Sequence, residues 1–239
     1  MRKKVLITGA SRGIGEETAR VLAKEGYDLF LVCRNSEEAL QKIKRELEEE
    51  YQVSCQSALC DVSDPAQVET MMEQAGQVHI LINNAAISYV GLLTDMTLEK
   101  WHQVIDTNLN ALFYISRLVI PQMVRRREGK IINVSSVWGN IGASMEVAYS
   151  ASKGGVNSFT RALAKELAPS GIQVNAAAFG VIDTDMNACL SKEELEALKE
   201  EIPADRIGSA REAAEMIRQI IQSPSYLTGQ IITMDGGWN

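Results

Sequence analysis

The sequence contains few residues of the kinds that build metal or disulfide sites. Its four cysteines show no C-x-x-C or other metal-ligand spacing, and its two histidines, His79 and His102, lack ligand spacing as well. The cysteines are Cys33, Cys55, Cys60 and Cys189. We therefore expect no metal, no zinc-type chemistry and reduced cysteines that behave as small buried hydrophobes.

Long hydrophobic runs are also missing. The first residues enter a predicted strand almost at once, which leaves no apolar signal segment. The longest apolar stretch, 111–124, is interrupted by Ser116, Arg117, Pro121 and Gln122, so it is too short and too polar to cross a bilayer. These features predict a cytoplasmic protein with no membrane partner.

An excess of positive charge is absent, because 24 basic residues face 31 acidic ones and the net charge is −7. Nucleic-acid binding needs a basic surface, so that class of partner is disfavoured. The sequence also lacks a Pro/Gly/Ser-rich linker and an internal repeat. With 239 residues, 46% of them hydrophobic, it is expected to form one globular domain over 1–239.

Short apolar runs alternate with helical patterns along the whole chain. Strands are predicted at 5–7, 29–32, 53–59, 80–82, 131–134, 172–174 and 230–233. Helices are predicted near 13–25, 36–50, 65–75, 97–128, 147–168 and 209–222. Runs that are apolar throughout suit strands buried on both faces. The alternation predicts an α/β fold with a doubly wound, seven-stranded parallel sheet and helices on both faces.

Three glycines, Gly9, Gly13 and Gly15, follow the first predicted strand and open the first helix. In an α/β sheet such a turn lets the backbone approach a pyrophosphate at the positive end of a helix. The spacing is G-x-x-x-G-x-G instead of the commoner G-x-G-x-x-G, and a tight turn without a ligand is the alternative. The position directly after a strand favours a dinucleotide site.

The second strand ends at Cys33-Arg34-Asn35. A carboxylate there would bind the ribose hydroxyls of NAD, whereas an arginine suits the 2′-phosphate of NADP. Arg12 lies in the glycine turn, and Asp28 lies at the wrong end of the strand to compete. Two guanidinium groups without an acidic rival predict NADP(H) as the cofactor.

Tyr149 and Lys153 are separated by one helical turn and lie on the same helix face. A lysine ammonium beside a phenol favours the phenolate, so we expect a lowered pKa for Tyr149. Such a phenol can exchange a proton with a carbonyl or alcohol oxygen near neutral pH. Combined with hydride from a dinucleotide, this pair predicts carbonyl reduction.

Taken together, these motifs make the chain resemble the short-chain dehydrogenase/reductase family along its whole length. They are Thr8-Gly-x3-Gly-x-Gly15, Cys60-Asp-Val62, Asn83-Asn-Ala85, Asn108, Ser136, Tyr149-x3-Lys153, Val174-Asn175, Thr184-Asp-Met186 and Asp235-Gly-Gly237. Within the family the chain is most similar to the 3-oxoacyl-[acyl-carrier-protein] reductases, through 181–186 and 231–237. The resemblance implies a Rossmann-type fold and fatty acid biosynthesis as the setting.

The resemblance also implies a catalytic tetrad. Tyr149 would be the general acid, and Lys153 would bind the nicotinamide ribose and lower the pKa of Tyr149. Ser136 would donate a hydrogen bond to the substrate oxygen, and Asn108 would hold a water that leads from Lys153 to solvent. The cofactor contacts that it implies are Gly9, Ser11, Arg12, Gly13, Ile14, Gly15, Arg34, Asp61, Val62, Asn83, Ala85, Tyr149, Lys153, Ile182 and Thr184.

Two positions depart from the family pattern. Ala86 stands where a glycine is usual, so a methyl group is expected where backbone passes close to the cofactor. Phe179 replaces the usual proline before Gly180, which puts the shape of the substrate pocket in question.

The substrate side is predicted to include Tyr89, Trp138, 143–146 and Phe179, together with a segment at 186–206. That segment contains a charged helix opened by Ser191 and Glu194, which is either a solvated surface helix or a lid over the cleft. The mostly apolar set indicates a ketone with an apolar arm.

Arg125, Arg126, Arg127 and Lys130 are either a docking patch beside the cleft for an acidic acyl carrier protein or cations that favour a helix C-terminus. A second docking base expected near Ser170 is absent. The helix at 103–124 is apolar nearly all round, and 149–168 carries small residues that permit close approach. Both features predict a homotetramer.

The reaction predicted is NADPH-dependent reduction of a ketone, with a 3-oxoacyl thioester first among substrates. The alternatives are an enzyme for another carbonyl, such as a sugar, a steroid or a small xenobiotic, and a non-catalytic dinucleotide sensor. The intact set of Asn108, Ser136, Tyr149 and Lys153 disfavours the sensor, which needs no acid.

Overall fold

A computed structural model of the protein describes residues 2–187 and 191–239, and it contains a seven-stranded parallel sheet. The strand order is β3-β2-β1-β4-β5-β6-β9. The strands are β1 (Lys4–Thr8), β2 (Asp28–Cys33), β3 (Cys55–Leu59), β4 (Ile80–Asn83), β5 (Gly129–Ser136), β6 (Ile172–Phe179) and β9 (Ile231–Met234). The predicted fold class and all seven predicted strands are confirmed.

Helices cover both faces of this sheet. They are α1 (Gly13–Lys24), α2 (Glu37–Tyr51), α3 (Pro65–Ala75), α4 (Leu98–Ile105), α5 (Ala111–Arg126), α6 (Trp138–Ile141), α7 (Val147–Leu167), α8 (Lys192–Glu201) and α9 (Ala210–Gln222). No helix in the described part of the chain has the length and apolar character needed to cross a membrane.

The core consists of two layers, one on each face of the sheet. Alternate residues of a strand point to opposite faces, so Val5 and Ile7 pack with α1, α2 and α9, while Leu6 packs with α3, α5 and α7. Both layers are apolar, which explains why the strands read as continuous hydrophobic runs instead of alternating ones.

The structure corrects the predicted helix at 97–128. A π-helical turn at Asp106–Asn110 separates α4 from α5, and the second helix ends at Arg126. A π-helical turn inserts a residue into the helical repeat and frequently accompanies functional sites. The apolar pattern gives no sign of it, because both halves keep a helical period.

Two short strands were not predicted from the sequence. Strands β7 (Ile182–Asp183) and β8 (Gly208–Ser209) pair in parallel as a separate two-stranded ribbon. This ribbon brackets the predicted lid, whose helix α8 begins with the predicted capping box of Ser191 and Glu194. Residues 188–190 of the lid, and Cys189 among the cysteines, lie outside the described residues.

Candidate active site

The glycine turn closes tightly between the end of β1 and the start of α1. Gly9 has a φ of 67°, and a Cβ on Gly15 would lie 2.1 Å from the Gly9 carbonyl oxygen. Asn84 stabilises the turn from the next strand, because its Nδ2 donates to the carbonyls of Thr8 at 3.0 Å and Gly9 at 3.1 Å. The turn therefore requires glycine and leaves backbone N–H groups at the start of α1, which suits a pyrophosphate.

A cavity of about 460 Å³ lies between this turn and the segment after β6. Gly13 and Thr184 both line it, and Thr184 Cγ2 is 3.1 Å from where a Cβ on Gly13 would lie. Ile182 is buried beside them in β7. The structure thus brings the predicted nicotinamide-side residues against the turn that carries Ser11 and Ile14.

The two predicted phosphate-binding arginines follow the ends of β1 and β2 and are exposed. Contrary to the sequence prediction, each has an acidic neighbour: Arg34 lies 3.9 Å from Asp61, and Arg12 lies 3.5 Å from Asp185. Both carboxylates come from segments that are distant in the sequence, so the residues around the end of β2 do not indicate them. Exposed pairs of this kind contribute little stability, about 0–1 kcal/mol, so both guanidinium groups remain available to a dianionic phosphate.

The remaining predicted adenosine-side residues lie at the same edge of the sheet. Asp61 accepts hydrogen bonds from Ser63, and Val62 is buried in the core next to it. The backbone N–H of Ala85 donates to Thr8 Oγ1 at 3.0 Å, whereas Asn83 turns inward and donates to Asn133 Oδ1 at 2.9 Å. The side chain of Asn83 thus bonds within the sheet.

Ser136, Tyr149 and Lys153 meet where β5 ends and α7 begins. Lys153 Nζ lies 5.4 Å from the centre of the Tyr149 ring and donates to the Val134 carbonyl at 2.8 Å. Tyr149 and Lys153 are almost fully buried. The three groups lie at the carboxyl edge of the sheet, next to β4 and the loop after it that carries Ala85. A carbonyl placed there would meet a phenol and a hydroxyl.

The predicted lowering of the Tyr149 pKa is wrong for this arrangement. Burial raises the pKa of the phenol, the Glu146 carboxylate raises it further, and a hydrogen bond with Ser136 opposes both. Burial also lowers the pKa of Lys153 to about 8. Burial removes water from the Tyr149 phenolate and from the Lys153 ammonium, so it disfavours both charged forms. The spacing of the two residues in the sequence does not indicate this burial.

Asn108 lies inside the π-helical turn and is buried. Its Oδ1 accepts from the Ile87 N–H at 2.8 Å, while its Nδ2 donates to the Ile87 carbonyl at 2.9 Å and to Ser152 Oγ at 3.1 Å. Ser152 in turn donates to the Tyr149 carbonyl at 2.7 Å. Asn108 therefore connects the loop after β4 to the helix that carries Tyr149 and Lys153.

The two departures from the family pattern are accommodated without strain at either residue. Ala86 is not among the four described non-glycine residues with positive φ, so its methyl group meets no conformational penalty. Phe179 is buried in the core at the end of β6, which corrects its assignment to the substrate pocket. Gly180 is required, because a Cβ there would lie 2.8 Å from Asp235 Cβ.

The basic cluster at 125–130 does not lie beside the cleft of its own subunit. It precedes or begins β5, whereas Ser136 ends that strand, roughly 23 Å away at about 3.3 Å per residue. Arg126 donates to the Val78 carbonyl at 2.6 Å, and Lys130 donates to the carbonyls of Ile221 and Ser223. Arg126 and Lys130 therefore bind backbone carbonyls of neighbouring segments. Arg125 and Arg126 also lie in the last turn of α5, where the alternative hypothesis placed cations at a helix C-terminus.

One residue near the site, Trp238, was not singled out from the sequence. Trp238, the penultimate residue of the sequence, packs on Trp138 with ring centres 4.9 Å apart. Asp235 fixes this end by accepting from the N–H groups of Gly237 and Asn239. No sequence spacing links Trp138 to Trp238, and only the sheet order brings them together.

Comparison with known proteins agrees with this geometry. Residues 3–195 match the family described as short chain dehydrogenase. The oxidoreductase YmfI of Bacillus subtilis is 36% identical over all of both chains. The 3-oxoacyl-[acyl-carrier-protein] reductase FabG of Escherichia coli is 36% identical over 98% of this chain and 96% of its own. The FabG of Staphylococcus aureus is 38% identical over 99% and 98%.

A solved structure is similar as well. The crystal structure of an actinorhodin polyketide ketoreductase variant with NADPH superposes with a TM-score of 0.92 at 34% identity, covering 99% of this chain and 97% of the other. The family match, the identities and the superposition extend over the glycine turn and the Tyr149 site alike. The chain belongs to the short-chain dehydrogenase family and is an oxidoreductase that acts on carbonyl and alcohol groups.

Proposed function

We propose that this protein is an NADPH-dependent ketone reductase whose substrate is a 3-oxoacyl thioester. The observation that carries the proposal is the buried Tyr149 between Ser136 and Lys153, at the edge of the sheet where the glycine turn opens α1. The names of the FabG relatives and of the ketoreductase support the substrate class.

A bound nicotinamide would supply the hydride, and the residues of the chain would bind and orient it. The glycine turn and Thr184 would hold the dinucleotide, while Arg34 and Arg12 would pair with its 2′-phosphate. Ser136 donates to the substrate oxygen and stabilises the charge that develops there. Tyr149 then transfers its proton to that oxygen, and its raised pKa keeps the proton in place until an alkoxide, a much stronger base, forms.

Lys153 and Asn108 position these groups. Lys153 would bind the ribose through its ammonium, which the Val134 carbonyl already holds in place. Asn108 holds the π-helical turn against α7, so the start of α7 keeps one orientation. Helix α8 covers the cleft as a lid in this proposal, and Leu195 lines the cavity beside the glycine turn in support of it.

A substrate panel followed by NADPH absorbance tests the proposal. Acetoacetyl thioesters should give the highest kcat/KM, roughly tenfold or more above free ketones of the same length, because remote contacts add to transition-state binding. A sugar, steroid or small xenobiotic ketone that matches the thioester would replace the substrate proposed. Binding of NADPH without turnover of any carbonyl would favour a dinucleotide sensor.

The partners belong to the proposal too. Phe113 on α5 is 54% exposed, and α5 and α7 are the surfaces on which a homotetramer would form. Light scattering measures the mass of the assembly.

Delivery of substrate by an acyl carrier protein is a separate hypothesis. Arg127→Glu should raise KM for carrier-bound substrate alone if the cluster serves a neighbouring subunit, with the small thioester as control.

A further inference from the structure

The loop that leads into α7 is held in an unusual conformation beside Tyr149. Met145 has a φ of 63°, a left-handed conformation that non-glycine residues rarely adopt. The N–H of Gly91 donates to the Met145 carbonyl at 2.8 Å, which ties this loop to the loop after β4. Strained backbone that the surroundings maintain is concentrated at functional sites. Here it fixes the position of the next residue, Glu146.

The side chain of Glu146 is held as well. Ser88 Oγ, from the loop after β4, donates to Glu146 Oε2 at 2.9 Å. Glu146 is the residue directly before α7, and Tyr149 is the third residue of that helix. These are the two positions whose side chains approach each other in a capping box, so the carboxylate and the phenol are neighbours at the start of α7. Its charge reaches the phenol, because it contributes to the raised pKa of Tyr149.

This carboxylate has no cation to neutralise it. None of the ion pairs formed within the described part of the chain includes Glu146. Lys153, the cation next to Tyr149, directs its ammonium to the Val134 carbonyl. Val90, in the loop after β4, and Val147, the first residue of α7, are exposed and apolar, so neither supplies a compensating charge.

We infer that Glu146 selects substrates by charge: it rejects ketones that carry a free carboxylate near the carbonyl and admits those in which the acid is masked as a thioester or ester. The inference rests on the proposed function, because it takes Tyr149 as the point where the ketone binds. Repulsion of the wrong substrate, added to contacts with the right one, is a general route to specificity. A free 3-oxo acid would bring its carboxylate toward Glu146, whereas the matching thioester brings a neutral group.

Acetoacetate and ethyl acetoacetate test this directly, since they share the ketone and differ in one negative charge. The parent protein should show a much higher kcat/KM for the ester. Glu146→Gln keeps the shape and an acceptor for Ser88 but removes the charge. It should raise kcat/KM for acetoacetate by roughly tenfold or more, and it should change kcat/KM for the ester by less than about threefold.

Glu166→Gln is the matched control. It removes the same charge from an exposed position about 30 Å further along α7, so the ratio of the two substrates should stay at its parent value. An unchanged ratio in Glu146→Gln, or an equal loss on both substrates, would overturn the inference. So would a parent protein that does not discriminate.

The test is separate from the test of the proposed function. If ethyl acetoacetate and the thioester have equal kcat/KM values, the proposed substrate is wrong. The effect of charge can still be read from the ratio of kcat/KM for the ester to that for acetoacetate. If neither compound is turned over, calorimetric titration of both into the NADP⁺-loaded protein gives the ratio of dissociation constants. Equal binding of acetoacetate to the parent and to Glu146→Gln would then reject the inference.

Discussion

The two edges of the sheet carry similar residues and use them differently. At the carboxyl edge, the arginines Arg12 and Arg34 are exposed and only loosely paired. At the amino edge, Arg126 and Lys130 are partly buried and donate to backbone carbonyls. Arg12 and Arg34 can exchange their carboxylate partners for a phosphate. Arg126 and Lys130 cannot, because the backbone carbonyls that they bind would lose their hydrogen bonds. A cluster of positive charge therefore becomes a binding site only where topology leaves it free.

The carboxyl edge also differs in how its polar groups are buried. Tyr149 and Lys153 are enclosed and their pKa values are shifted, which is typical of reacting groups. Substitutions at this edge should cost activity more than stability, and substitutions at the amino edge should do the reverse. The following predictions test that contrast.

Tyr149→Phe should have the largest effect. The substitution keeps the ring but removes the proton that reaches the substrate oxygen, so turnover should fall by about two orders of magnitude or more. NADPH affinity, measured by fluorescence titration, should change little. Tyr226→Phe, at a side chain that is 98% exposed, is the matched control. Near-normal turnover of Tyr149→Phe would remove Tyr149 as the acid.

Gly15→Ala should weaken the cofactor site. The added Cβ would lie 2.1 Å from the Gly9 carbonyl, so the turn must shift. Overpacking costs about 1–3 kcal/mol, which corresponds to roughly 5- to 150-fold in the Kd for NADPH. Gly154→Ala adds the same methyl group in α7, where the nearest atom is 3.6 Å away, and should bind NADPH normally. Equal affinity in both variants would contradict the assignment of the turn.

Arg34→Asp should move the preference from NADPH toward NADH, by roughly tenfold in the ratio of kcat/KM values. The carboxylate repels the 2′-phosphate and accepts from the ribose hydroxyls. Arg127→Asp removes the same charge at the amino edge and should leave the ratio unchanged. A parent protein that prefers NADH would show that Arg34 has another role.

The pH dependence of reduction should report Lys153. Because burial lowers its pKa to about 8, the ammonium is lost as the pH rises through about 8, and kcat/KM should decline about tenfold per pH unit above that value. Tyr149, with its raised pKa, stays protonated there. At Lys153 the unfolded chain binds more protons between pH 8 and 10.5, so the titration of this residue raises stability over that range. The buried thiols of Cys55 and Cys60, whose pKa values burial raises to about 12, lower stability above about pH 9, so the decline is read between pH 8 and 9, where these thiols have not yet titrated. A flat profile up to pH 10 would contradict this assignment.

Lys130→Met should give the smallest effect on catalysis and a measurable one on stability. The ammonium caps carbonyls of Ile221 and Ser223 at the end of α9, and its removal should cost about 1–2 kcal/mol in the free energy of unfolding. Urea unfolding measures the loss, and kcat/KM for a small ketone should stay at the parent value. Loss of activity without loss of stability would place Lys130 in the site after all.

The fold could be predicted from the sequence because several independent patterns in it agree. Apolar runs, helical periods and the glycine turn each point to a parallel α/β sheet, and strand residues such as Val5 and Leu6 confirm it by packing on opposite faces. The ribbon of β7 and β8 was not predicted, because a strand of two residues is too short to show a repeating hydrophobic pattern.

For the site, the sequence alone determined the chemistry that backbone geometry requires: glycine at Gly9 and Gly15, and the pairing of Tyr149 with Lys153 over one helical turn. Only the tertiary structure decided the environment of these groups. It set the burial that raises the pKa of Tyr149, the acidic neighbours of Arg12 and Arg34, and the hydrogen bond from Ser88 to Glu146. The physical reason is that spacing along a helix is local, whereas desolvation and charge neighbours come from segments far apart in the chain.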